Sequence, residues 1–163
     1  MSKLYVAYGS NLNMKQMRFR CPTAQFIGTG VIHNYELQFK GTPHGAHATI
    51  EPKEGASVPV GVWMIQKKDE GQLDMYEGYH PKGYCYYDKE RISVKMDSGK
   101  SLTGMVYIMD KQMDFGIPTK SYYDTVRQGY LDCGFDTAIL DKAVDESMAM
   151  AQQRMAQGGM RMW

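Results

Sequence analysis

Tyr5-Val6-Ala7-Tyr8-Gly9-Ser10-Asn11-Leu12-Asn13 sets the reading of the whole chain. Leu4 to Ala7 is a short apolar run of the kind that forms a buried strand, and it breaks at once into Gly-Ser-Asn, a turn signature. Asn11 or Asn13 can then cap a short helix through Met17 to Phe19, which must end before Cys21-Pro22. Gly9 gives the backbone freedom that other residues lack, and Ser10 and Asn11 add short hydrogen-bonding side chains. A strand that stops here and enters a helix leaves several amide N–H groups without internal partners. Such groups suit a carboxylate, a phosphate or the oxygen of a polarised carbonyl. A plain strand-to-helix connection would have the same composition.

Downstream of this turn, Gln25 to Val31 and Tyr35 to Phe39 read as two strands joined near His33-Asn34, and Gly41 to Gly45 as a loop. Ala48 to Ile50 and Val58 to Ile65 are further strands. The period then changes: Lys68 to Tyr76, with Asp69 as its cap, predicts a short helix ending at Glu77-Gly78. Tyr84 to Met96 and Ser101 to Met109 form a hairpin turning at Asp97-Ser98-Gly99. Two helices follow, one capped by Ser121 and closed near Cys133-Gly134, the other capped by Asp136. The second runs from Thr137 to about Ala156 on a stripe of Ile139, Leu140, Ala143 and Val144, with Gly158-Gly159 ending it. Residues 158–163 are then expected to be a mobile tail. With no repeat or linker, residues 1–163 read as a single domain. Strands first and helices last predict an α+β fold, and short hairpin-linked strands predict a small closed mixed β-barrel with flanking helices.

Bulk properties narrow the function. The chain has 163 residues, 43% of them hydrophobic and 23% charged, with a net charge of +1. That balance supplies no electrostatic case for nucleic acid or an anionic membrane. The pairs Arg18/Arg20 and Lys67/Lys68 read as solvated face. No apolar run reaches the ~18 residues of a membrane span, and the first residues lack the apolar core of a signal peptide. Cys21, Cys85 and Cys133 form no C-x-x-C pair, which fits a reducing compartment and predicts a cytoplasmic location. Of the 14 methionines, Met14 and Met17, then Met148, Met150, Met155, Met160 and Met162, cluster near the two ends, and they read as flexible packing.

The second site candidate is Leu73-Asp74-Met75-Tyr76-Glu77-Gly78-Tyr79. A carboxylate at a helix C-terminus opposes the helix dipole, and neighbouring tyrosines would strip its water. Both effects raise a carboxyl pKa and make a better proton acceptor near neutrality. A surface glutamate at a helix end is the competing reading. Elsewhere the signals are thin. His44 and His47 stand three apart without a further ligand, so no metal is expected. Cys85 and Cys133 have no nominated base, and no phosphate-loop or nucleophile-elbow motif occurs.

Taken together, YVAYGSNLN, ATIEP, VPVGVWMI, LDMYEGY, GMVYIM and PTKSYYDTVRQGYLDCGF resemble the γ-glutamylcyclotransferase-like family, including its AIG2-like relatives. The resemblance covers roughly residues 3 to 140. It implies that Tyr8, Gly9, Ser10, Asn11 and Leu12 hold the γ-glutamyl part of a substrate and that Glu77 is the general acid/base. It also implies that Tyr84, Tyr107 and Tyr122 stand near the pocket, in a small β-barrel with flanking helices. PTKSYY departs from the family's tighter Pro-Ser start, and the Met-rich C-terminal helix has no counterpart in it. The chemistry implied is release of 5-oxoproline from a γ-glutamyl amide by the substrate's own α-amine, with no cofactor, metal or covalent intermediate. Alternatives are a γ-glutamylamine cyclotransferase, deprotection of a γ-glutamyl biosynthetic intermediate and, more distantly, a non-catalytic module binding a small carboxylate. The expected partner is a small molecule, not nucleic acid or membrane.

Overall fold

β1 (Ser2–Ala7) lies between two other strands, and its last three residues are buried. In the computed structural model, which describes residues 2–79 and 86–161 (158–161 in backbone only), β1 runs antiparallel to β3 (His47–Gln66) from Ser2↔Gln66 to Ala7↔Gly61. Its other edge pairs in parallel with β5 (Ser101–Met109) at Tyr5↔Met105. β5 pairs with β4 (Tyr87–Met96) from Tyr87↔Met109 to Lys95↔Ser101. β4 meets β2 (Gln25–Gly41) at Gly30↔Met96 and Val31↔Lys95, and β2 pairs along its length with β3. The order β3-β1-β5-β4-β2 thus closes on itself as a mixed barrel, and β6 (Asp114–Phe115) extends the far end of β2. A barrel closed in this way leaves no long unpaired edge among these strands.

The seam between β2 and β4 depends on Gly30. A Cβ there would stand 2.6 Å from Lys95 O and 2.9 Å from Val94 Cγ1, so a side chain would wedge the seam open. Inside, Val6, Ile50, Val58, Val60, Val62, Val94 and Val106 fill the barrel with β-branched side chains, all at 2% exposure or less. Such residues suit a pleated, buried surface.

Two strand pairs expected from the sequence are each one strand. β2 is 17 residues long and passes through His33-Asn34 with a register shift, not a turn. Asn34 takes the left-handed conformation (φ 63°), and its Oδ1 accepts from Gly55 N–H at 3.0 Å. The kink is thereby tied to the partner strand. β3 likewise continues through the exposed stretch 53–55, where the apolar pattern lapses but the hairpin persists.

Four helices pack outside. In α1 (Met14–Arg20) the cap is Asn13, whose side chain accepts from Gln16 N–H. α2 (Lys67–Glu77) starts on a capping box in which Asp69 answers Gln66, so Asp69 is the third helical residue and not the cap. α3 (Lys120–Cys133) is capped by Thr119, two residues before the expected Ser121. α4 (Thr137–Arg161) continues through Gly158-Gly159, where the sequence predicted its end; residues 162 and 163 lie outside the described residues. Of its expected stripe, Leu140 and Ala143 are buried while Ile139 is 39% exposed. Ser147 Oγ accepts from Phe39 N–H at 3.0 Å and fastens α4 to β2.

α3 crosses the turn after β1 at Gly129, where a Cβ would sit 2.7 Å from both Asn13 N and Leu12 Cβ. Gly71 in α2 has nothing within 4 Å of the same position. Chemical unfolding should therefore separate two like substitutions in helices. Gly129→Ala should destabilise by about 1–3 kcal/mol through overpacking. Gly71→Ala should stabilise by about 0.5–1 kcal/mol through helix propensity and reduced unfolded-state entropy.

Candidate active site

The chain leaves β1 through Tyr8-Gly9 into a single 3-10 turn, Ser10–Leu12. Leu12 N–H bonds back to Gly9 O and Asn13 N–H to Ser10 O, both at 3.1 Å. The turn's first N–H groups come before those bonds and have no partner within it. Gly9, Ser10 and Asn11 border a cavity of about 500 Å3 at the end of the barrel. At Gly9 a Cβ would come within 3.2 Å of Ala48 Cβ and 3.3 Å of Tyr122 Oη, so its bareness keeps this wall clear. Leu12 does not border the cavity. It is wholly buried and touches the positions of Gly61 and Gly129, where it anchors the turn.

Asn11 is 2% exposed, and its side chain is occupied within the protein. Arg20 donates from NH1 to Asn11 Oδ1 at 3.0 Å, and Gln16 Nε2 approaches the same oxygen at 3.4 Å. Arginine can only donate, so the oxygen faces Arg20 and Asn11 Nδ2 faces Tyr5, donating to its hydroxyl at 2.9 Å. The asparagine of the motif therefore braces the turn, β1 and α1 together.

Tyrosines make up much of the remaining wall. Tyr8 donates to Tyr107 O and Tyr87 to Ala48 O, each at 2.6 Å, while Tyr122 Oη accepts from Ala48 N–H at 3.0 Å. Burial pushes all four of Tyr8, Tyr87, Tyr107 and Tyr122 above the usual phenol range, so they remain neutral hydroxyls. Tyr107 and Tyr122 both border the cavity, but the Tyr107 hydroxyl is engaged with Asp74. Tyr84 lies outside the described residues.

Glu77 ends α2, where Gly78 (φ 66°) turns the chain in the left-handed conformation. Glu77 borders the cavity and is partly buried. Loss of water pushes the carboxyl up to about 7, against a smaller opposing pull from the Arg20 guanidinium. Arg20 itself lies over the ring of Tyr76, 4.1 Å from its centre. One turn before Glu77, Asp74 accepts from Tyr107 Oη at 2.5 Å and pairs with Lys89 at 2.9 Å. Lys89 also reaches Glu70 at 2.6 Å. These bonds hold the last turns of α2 against β4 and β5, and with them the backbone that carries Glu77.

Residues 5–125 match the family model described as gamma-glutamyl cyclotransferase, AIG2-like. The chain belongs to this family. Human γ-glutamylcyclotransferase is 28% identical over 148 residues, spanning 86% of this chain and 77% of the relative. The Bos taurus γ-glutamylcyclotransferase is 34% identical over 116 residues, 66% of this chain and 60% of the relative. A solved γ-glutamyl cyclotransferase superposes with a TM-score of 0.77 at 27% identity, covering 88% of this chain and 86% of the other.

For a member of this family the sequence reading missed several cavity residues. Arg20 resembled surface charge because only the fold turns the last residue of α1 inward. His47, considered from the sequence only as an incomplete metal pair with His44, borders the cavity edge-on to Tyr122 with ring centres 4.6 Å apart. Among the described residues no group of three His, Cys, Asp or Glu is placed to hold a metal ion. Burial lifts the Cys21 and Cys133 thiols to about 11, which keeps them protonated. No helix of the described residues is long and apolar enough to cross a membrane.

The Glu77 shift carries a stability consequence. A folded-state pKa of about 7, above the 4.5 of the free side chain, means the folded protein holds a proton that the unfolded chain releases. Stability from this group is present below pH 4.5 and is lost as pH rises through about 7. Urea unfolding should show Glu77→Gln and the parent equally stable at the acid end. At pH 8.5 the Gln variant should be the more stable by about 1–3 kcal/mol. A constant difference across pH would contradict the shift.

Proposed function

We propose that the protein is a γ-glutamylcyclotransferase that releases 5-oxoproline from a γ-glutamyl amide, with Glu77 as general acid and base. The observation that carries this reading is a carboxyl poised near neutrality in the same cavity as the Gly9–Asn11 turn. In such a substrate the α-amine and the γ-carbonyl belong to one molecule. Folding the glutamyl chain brings them together to close a five-membered ring, and holding that fold supplies much of the rate.

The ammonium has no lone pair, so Glu77 removes a proton from it. The amine nitrogen then bonds to the γ-carbon, and the carbonyl electrons move onto oxygen. Backbone N–H groups at the start of the 3-10 turn are suited to stabilise that oxygen. As the carbonyl re-forms, the bond to the departing nitrogen breaks and protonated Glu77 returns its proton there. The freed Glu77 carboxylate then takes the second proton from the ring nitrogen and passes it to the departing amine, which leaves as an ammonium. The products are 5-oxoproline and a free amine or amino acid. Nucleophile and electrophile both come from the substrate, so the scheme calls for no cofactor. Gly9, Ser10 and Asn11 would contact the γ-glutamyl group through their backbone. Tyr8, Tyr107 and Tyr122 would shape the cavity around it, and Leu12 would act from beneath by fixing the turn. The sparse cysteines, of which Cys21 and Cys133 are free, support a cytoplasmic enzyme, and the docking of α4 on β2 supports one catalytic domain.

Purified protein should liberate 5-oxoproline from at least one member of a panel of γ-glutamyl amino acids and γ-glutamylamines. Glu77→Gln should lower that rate by at least ~100-fold with the fold retained. In the parent, kcat/KM should fall tenfold per pH unit on the acid side of about pH 7, because the base must be ionised. An acid limb near 4.5, or full activity in the Gln variant, would remove Glu77 from the role.

A further inference from the structure

Arg20 is unusual among the charged residues of the structure. It borders the cavity, and among the described residues lining that cavity it is the one Lys or Arg side chain. Lys3, Lys40, Lys53, Lys89, Lys120, Lys142 and Arg154 have carboxylate partners. Of the described Lys and Arg side chains with no carboxylate in ion-pair distance, Arg20 alone is partly buried, and the others are exposed. The side chain is nevertheless positioned. NH1 is fixed on buried Asn11 Oδ1 at 3.0 Å, and the guanidinium lies on the Tyr76 ring. A guanidinium carries further N–H donors in a planar fork that matches a carboxylate. A half-buried cation oriented at a cavity wall without a counter-ion calls for an anionic ligand.

We infer that Arg20 is a specificity-determining residue that binds the α-carboxylate of the γ-glutamyl group. The inference rests on the cyclotransfer reading, which supplies the substrate. The amine that gives its proton to Glu77 and the α-carboxylate are attached to the same carbon. Arg20 and Glu77 border the same cavity, so an amine facing Glu77 and a carboxylate facing Arg20 can belong to one bound molecule. Arg20 would then orient the α-carbon and turn the amine toward its base. Because Asn11 braces Arg20 and the turn together, the carboxylate and carbonyl-oxygen sites are built as one unit.

The test uses two amides of the same amine, one γ-glutamyl and one 4-aminobutanoyl, which differ only in the α-carboxylate. They yield 5-oxoproline and 2-pyrrolidinone respectively. The parent enzyme should favour the γ-glutamyl amide by about 100-fold in kcat/KM, the order expected of a charge-assisted two-pronged contact. Arg20→Met should bring that ratio below about tenfold by slowing the γ-glutamyl substrate far more than the other. Arg20→Gln, which keeps a donor for Asn11, should do the same, and Arg20→Lys should restore part of the preference. An unchanged ratio, with both substrates slowed together, would mean that Arg20 only supports the turn and would overturn the inference. So would loss of discrimination between γ-glutamyl amino acids and γ-glutamylamines instead, which would place Arg20 at the leaving end. If the parent releases neither lactam, the cyclotransfer reading falls. Calorimetric binding of 5-oxoproline, present in the parent and lost in Arg20→Met, then decides separately whether Arg20 holds a carboxylate.

Discussion

The carboxyl of Glu77 loses most of its water where α2 ends against the tyrosine-lined end of the barrel, and the surrounding structure is arranged around that loss. A carboxylate moved out of water is destabilised unless it is paired or takes up a proton. Here the Arg20 charge offsets only part of the penalty, and the group settles near neutrality. Holding it there requires that α2 not drift outward to rehydrate its end. The Asp74 bonds to Tyr107 and Lys89, together with the Lys89–Glu70 pair, supply that restraint from two strands of the barrel.

The turn after β1 is held by an equally local set of contacts. Leu12 locks it beneath α3 at Gly129, and Asn11 ties it to Tyr5 and Arg20. The Gly-Ser-Asn motif thus divides its labour. Gly9 stays bare at the wall, Ser10 borders the cavity beside it, and the asparagine side chain works as a brace. Stability and site geometry meet in these few residues.

Much of this was legible in the sequence where a local signal carried the outcome. The strand-turn-helix at Tyr5–Asn13, the helix ending at Glu77-Gly78 and the β4–β5 hairpin all follow from periodicity and from glycine, asparagine and capping residues. The long β2–β3 hairpin was not legible as such. Polar or exposed stretches at Asn34 and around residues 53–55 interrupt the apolar pattern, while ladder bonds between backbones need no particular side chain. Helix ends shifted by a few residues for a similar reason: Thr119 and Gln66 cap where the chain geometry places them. In the site, the neighbours of Glu77 left a surface glutamate as the competing reading, and the family resemblance singled it out. Arg20 and His47 enter the cavity only through tertiary packing, and the occupation of Asn11's side chain depends on partners brought to it by the fold.

The decisive quantity is the protonation state of one side chain. Carbon NMR of protein labelled at the glutamate carboxyls, with the Glu77 resonance assigned by comparison with Glu77→Gln, reports it directly. A midpoint near 7 is the result this account predicts; a midpoint near 4.5, the ordinary value, would show Glu77 fully hydrated and contradict its role as the base.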